Sequence, residues 1–168
     1  MTMTPNNPKV EAILLQIQKS YAELEQLIAG PLANLEPGKL YQQPGNDEWS
    51  ITQNLAHILE FMPYWATEVE KLVAKPGQNF GRTMGHEGRL QGIRDYESAD
   101  LAQIKAALPS SFGPLEAVIS TLKDSDLELT GVHSKHGEKS LEWFIEDFIT
   151  RHLSDHIEQI REDVQKVG

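Results

Sequence analysis

The stretch RHLSDHIEQI, residues 151–160, places His152 and His156 four positions apart near the end of a 168-residue chain. If the stretch is helical, both rings sit on one face and reach a single point. Neutral imidazole is a good ligand for zinc, nickel or iron, so the pair fits a metal site. Two hydrogen-bonded core histidines would have the same spacing. A third ligand from another element would separate the two readings, and His57 is the one histidine on any other predicted helix.

Several chemistries are excluded at once. The chain has no cysteine, which removes disulfides, thiolate metal sites and a protein thiol nucleophile, and makes it indifferent to redox compartment. No histidine has a glutamate three residues before it, so the Glu-x-x-His pairs of di-iron bundles are missing. The HEGRL stretch at residue 86 lacks the second histidine of a zincin, and no GK[ST] phosphate loop occurs. A net charge of -10 repels polyanions and argues against a nucleic-acid partner. The longest apolar run near the N-terminus, AILL, is too short for a signal segment or a membrane span, so a soluble, cytoplasmic protein with no membrane partner is expected.

The elements that must position the histidines follow from periodicity. Val10, Ile13, Leu14, Ile17, Tyr21, Leu24, Leu27 and Ile28 trace one helix, which Gly30-Pro31 is expected to stop. After a loop rich in proline and glycine, Ser50 and Gln53 form a capping box for a second helix, kinked near Pro63 and ending before Pro76-Gly77. Residues 76–96 carry five glycines and no sustained period, which predicts a long surface connection between helices two and three. From Ala99 to Lys123 the apolar phase continues across Pro109 and Pro114, favouring one bent helix. LELTGVHSKHGEK alternates weakly, as a short hairpin would, and Ser140 caps a last helix from Leu141 to about Gln165.

Four long amphipathic segments without a convincing sheet imply an all-α four-helix bundle, a single domain over residues 1–168 with about the first eight disordered. A chain of this length buries an adequate core without a structural metal. On the last helix, Leu141, Ile145, Phe148, Ile149, His152, His156, Gln159 and Ile160 share a face, so the histidines are expected to interrupt the buried stripe. His57 is different: at about 100° per residue it lies roughly 130° from the centre of its helix's stripe. Periodicity alone makes it a flank residue.

EWSITQNLAHIL resembles the Trp-Ser followed by a helical histidine found in the DinB/YfiT-like superfamily of metal-binding four-helix bundles. HGEKSLEWFIEDFITRHLSDHIEQI resembles that family's loop glycine, helix start and His-x-x-x-His. The resemblance covers nearly the whole chain and implies a divalent-metal site of His57, His152 and His156, with zinc or nickel ahead of iron. It also implies that helix two turns its flank towards helix four, and it places the chain among bacterial proteins. Gln159, one turn on, is a candidate hydrogen bonder behind the site. His133, His136 and His86 are expected to be exposed loop residues, with His133 and His136 as the alternative rim of the site.

Three imidazoles with a position left open would form a reactive rather than a closed centre, able to activate water for hydrolysis or to bind an external thiol as thiolate. Members of the resembled superfamily transfer small bacterial thiols or isomerise thiol adducts, and others are described only as hydrolases. A small-molecule substrate, with a low-molecular-weight thiol as cosubstrate, is therefore the expected partner. Lys75, Arg82, Arg89 and Arg94 face one acid, Glu87, between residues 75 and 94, and could steer an anion to the site. The rival is a non-catalytic metal-binding bundle acting in interaction or stress response, with a homodimer open to it. An apolar strip would favour that rival, and a cavity above the histidines would favour the enzyme.

Overall fold

The computed structural model of the protein describes residues 6–168. In chain order its helices are α1 (Pro8–Leu27), α2 (Ile51–Ala74), the short α3 (Glu87–Tyr96), α4 (Leu101–Thr121), α5 (Leu141–Ile145) and α6 (Arg151–Val167). A π-turn at Glu146–Thr150 joins α5 and α6 into one rod, which with α1, α2 and α4 makes the expected four-helix bundle. Contacts run from α1 to α4, α4 to α2, α2 to α6 and α6 to α1, so the consecutive α1 and α2 stand across the bundle from each other. No helix among the described residues is long and apolar enough to cross a membrane.

Of the eight residues expected to be disordered, the first five lie outside the described residues, and Pro8 already begins α1. The free N–H groups there are satisfied from a distance: the Asp124 carboxylate accepts from Lys9 N at 3.2 Å and Val10 N at 3.0 Å. Gly30-Pro31 does not stop the first rod. Pro31 cannot donate, but a π-turn at Ile28–Leu32 widens the spiral around it and Asn34 N reaches Gly30 O at 3.1 Å.

The capping box at Ser50 and Gln53 forms as predicted and starts α2. Pro63 leaves the Leu59 carbonyl four residues earlier without its helical donor, and the Ser111 hydroxyl on α4 supplies a substitute. α2 is buried almost all round, from Ile51, Leu55 and Ile58 on one side to His57, Phe61 and Glu68 on the other. The reason is α3, which packs against its outer side.

The long surface connection expected over 76–96 carries local structure in both halves. Ile93 is the one buried residue of α3, so no apolar stripe announced the helix. A Cβ at Gly92 would collide with the Glu60 side chain, so glycine lets α3 lie directly on α2. Earlier, Gly77 N bonds Thr130 O, Val132 N bonds Gln78 O and Phe80 N bonds Val132 O, all at 2.8–2.9 Å, laying the segment along a hairpin. That hairpin pairs β1 (Thr130–His133) with β2 (Gly137–Ser140), Thr130 opposite Ser140 and His133 opposite Gly137, as the weak alternation suggested. Asp100 caps α4, which runs unbroken through Pro109 and Pro114.

The last rod starts where Ser140 Oγ accepts from Trp143 N at 3.1 Å. Its buried residues are Leu141, Phe144, Ile145, Ile149, Leu153, Ile157, Ile160, Asp163 and Val167, not the stripe expected from a uniform 3.6 period. The π-turn adds a residue to one turn, with Thr150 Oγ1 bonding the Ile145 carbonyl at 2.9 Å, and the stripe steps on by four. His152 and His156 consequently sit on the flank of the stripe, not in its centre.

Candidate metal centre

α6 presents His152 and His156 in successive turns, and α2 presents His57 opposite them. One nitrogen from each ring lies within 4.8 Å of the others, the geometry of a group that could hold a metal ion. His57 Nε2 and His152 Nε2 are 2.9 Å apart. The His57 that periodicity placed on a flank is 2% exposed.

The outer nitrogens fix the tautomers. His57 Nδ1 donates to Glu60 Oε2 at 3.0 Å, while Glu60 Oε1 accepts from Arg82. Glu60 and Arg82 side chains are each 6% exposed, a buried ion pair whose guanidinium offers only donors. Burial raises the Glu60 pKa, and Arg82 opposes that rise. His156 Nδ1 donates to Asn54 Oδ1 at 3.0 Å, and the Asn54 amide is itself oriented by donating to Ser50 O at 3.2 Å and Asp163 Oδ2 at 3.4 Å. With both Nδ1 atoms protonated, the Nε2 lone pairs of His57 and His156 are left for the interior of the cluster. Asn54 thus takes the supporting place expected of Gln159.

Burial, first of all, lowers the pKa of all three histidines, the neighbouring rings and Arg89 adding to the effect for His57 and His156. Imidazole ligands must be neutral, and these stay neutral at ordinary pH. Trp49 lies edge-on to His57, with ring centroids 5.3 Å apart, and Phe61 packs 4.9 Å from His152, so aromatic walls shield the cluster. The donor set therefore suits a borderline divalent cation: three neutral nitrogens, no carboxylate among them and room for further ligands.

Above the histidines a cavity of about 360 Å³ is walled by Trp49, Trp65 and Phe148, with Arg82, Met84 and Arg89 at its side. His133, expected to be exposed, is buried at 5% because residues 77–80 cover β1. Its Nδ1 accepts from Lys135 N at 3.1 Å, so Nε2–H donates to the Arg82 carbonyl at 3.3 Å and anchors the segment that carries Arg82. His136 is exposed with its ring 5.6 Å from that of Phe148, and His86 is exposed and caps α3 through Gly88 N at 3.1 Å; neither is among the residues that line the cavity. Asn54 and Glu60 carried no motif, yet their spacing of three residues on either side of His57 on a helix was a signal that they share its face. Nothing in the sequence marked Arg82 as the partner of Glu60.

A helical bundle with a polar, histidine-lined centre set between two of its rods is a known architecture for metal and small-molecule sites. Residues 7–160 match the profile of the DinB superfamily, and the chain belongs to that superfamily. It is 28% identical over 151 residues to the uncharacterized protein YuaE of Bacillus subtilis, covering 81% of this chain and 90% of that one. Its fold is similar to that of YfiT from Bacillus subtilis, a probable metal-dependent hydrolase with an unusual four-helix bundle topology. There the TM-score is 0.76 at 15% identity, over 98% of this chain and 91% of the other. The mycothiol-dependent maleylpyruvate isomerase shares the fold with a TM-score of 0.60 at 8% identity, over 95% of this chain and 60% of its own.

Proposed function

We propose that the protein is a divalent-metal-dependent enzyme in which His57, His152 and His156 hold the ion, zinc or nickel before iron. The cavity above them takes a small-molecule substrate, and transfer of an external low-molecular-weight thiol is favoured over hydrolysis. The observation that carries this reading is the pair of Nε2 lone pairs turned towards His152 by Glu60 and Asn54. An ion bound there would supply a Lewis acid, able to stabilise a thiolate or an activated oxygen nucleophile.

The chain's own residues orient and exclude. Glu60 and Asn54 hold two rings in the ligating tautomer, Phe61 packs against His152 away from the cavity, and Trp49 walls the cavity beside His57. A thiol has to come from outside, because there is no cysteine. The similarity to a probable metal-dependent hydrolase and to a mycothiol-dependent isomerase supports both branches, and the cavity weighs against the non-catalytic alternative. Its volume is in the range of small-molecule sites.

Elemental mass spectrometry on untagged protein reconstituted with zinc, nickel and iron tests the ligand set. Wild type should carry about one ion per chain, His57→Ala, His152→Ala and His156→Ala should lose it, and helix content by circular dichroism should persist. Full occupancy in His57→Ala would sink the three-ligand assignment. Screens for thiol transfer and hydrolysis on the loaded protein then separate the two branches.

A further inference from the structure

The four cations between residues 75 and 94 are sorted by their surroundings. Lys75 is exposed at the C-terminal cap of α2, and Arg94 is exposed and bonded to Glu87 at 2.6 Å and Gln91 at 3.0 Å. Arg82 is committed to Glu60 and stacks over Tyr64 with its guanidinium carbon 3.8 Å from the ring centroid. Arg89 lies on the cavity wall, 5.2 Å from the Trp49 ring centroid, and the one hydrogen bond of its side chain among the described residues is from Nη1 to Met84 O at 2.9 Å. It forms no ion pair among the described residues, so most of its donor fork is free beside the histidines.

The charge around it is one-sided. Among the described residues no carboxylate lines the cavity, in a protein whose net charge is -10. Glu60 stands behind the lining, neutralised by Arg82; Asp147 is paired with Arg151 at 2.9 Å, and Asp155 is exposed. Three neutral imidazoles do not cancel the charge of an ion they hold. The cavity thus offers one guanidinium without an ion-pair partner among the described residues, and an ion held by the histidines would add a second positive centre between the aromatic walls.

We propose that Arg89 recognises the anionic group of the substrate, a small carboxylate with a flat apolar body that packs between Trp49, Trp65 and Phe148. The planar fork of a guanidinium matches a carboxylate with paired hydrogen bonds, and the aromatic walls favour a flat body. This inference rests on the proposed small-molecule site and names the class of molecule that enters it. Arg89 is then a specificity residue, and it orients the substrate towards the ion from the side.

The test is a titration of intrinsic tryptophan fluorescence with benzoate and its neutral isostere benzamide; of the three tryptophans, Trp49 and Trp65 line the cavity. Wild type, Arg89→Gln and Arg89→Lys are compared with and without zinc, and metal content is measured on the same samples. Benzoate should bind wild type about tenfold or more tightly than benzamide, Arg89→Gln should erase that preference, and Arg89→Lys should keep part of it. Equal binding of the two probes to wild type, no benzoate binding to wild type, or benzoate binding unchanged in Arg89→Gln would each overturn the inference. The wild-type comparison needs no variant to fold. Loaded protein indifferent to Arg89→Gln leaves the metal reading standing, whereas protein that takes up no ion but loses benzoate through Arg89→Gln removes the metal reading alone.

Discussion

Replacing Glu60 by glutamine changes one oxygen to an amide nitrogen and should switch the tautomer of His57. Both Glu60 oxygens accept hydrogen bonds, from Arg82 on one side and from His57 Nδ1 on the other. A glutamine has one accepting oxygen, and the permanently charged, buried Arg82 will claim it. The amide N–H group then faces His57 Nδ1, which must become an acceptor. Its proton moves to Nε2, the nitrogen that points at His152. Metal affinity should fall by about 10- to 100-fold, which is roughly 1.4–2.7 kcal/mol. Apo stability should change by less than the 3–5 kcal/mol or so of a broken buried pair, because Arg82 keeps a partner. Competition against a chromophoric zinc chelator measures the affinity, and nitrogen chemical shifts of ¹⁵N-labelled histidine identify the tautomer. Wild-type affinity together with an unprotonated His57 Nε2 in Glu60→Gln would refute the reasoning.

Two further outcomes follow from the packing around α2. Gly92→Ala in a helix interior ordinarily stabilises by about 0.5–1 kcal/mol, but here the added Cβ meets the Glu60 side chain, so urea denaturation should show a loss of about 1–3 kcal/mol. A gain in stability would mean that α3 does not lie on Glu60. Asp163 is 1% exposed, its Oδ1 has no partner among the described residues, and burial raises its pKa from 3.8 to about 6. A raised folded-state pKa gives stability that is complete below the unfolded value and lost as pH rises through about 6. Asp163→Asn should therefore be more stable than wild type near pH 8 by on the order of 1–3 kcal/mol and alike near pH 4, and the same difference at both pH values would contradict the assignment.

What the sequence made legible was local chemistry. The Ser50 and Ser140 caps, the unbroken phase across Pro109 and Pro114, the hairpin and the meeting of His152 with His156 all depend on residues close in sequence, and all are present. Tertiary contact decided the rest. α3 has one buried apolar residue and two glycines, so it could not signal itself by period, and it stands because α2 lies beneath it. His133 was expected to be exposed because nothing local shows that residues 77–80 run along β1. The two π-turns shift the register by one residue, a change no uniform period can express.

The same argument explains why His57 looked like a flank residue although it belongs to the centre. A single apolar stripe marks a helix buried on one side, but α2 is covered by α3 and α6 as well as by α4. Its second buried face is polar: Asn54, His57 and Glu60 follow one another at three-residue steps. A polar face inside a protein is costly unless every group finds a partner. Asn54 meets His156 and Asp163, His57 meets His152, and Glu60 meets Arg82. None of these partners is local, and Arg82 is held in turn by His133 through its backbone. The polar seam therefore requires the last rod, the segment before α3 and the hairpin to be in place together. It follows that loosening any one of them should disturb the histidine cluster before it disturbs the apolar core, and His133→Ala, remote in sequence from the proposed ligands, should weaken metal uptake measured by elemental mass spectrometry, acting through Arg82 and Glu60, while circular dichroism shows the bundle still folded.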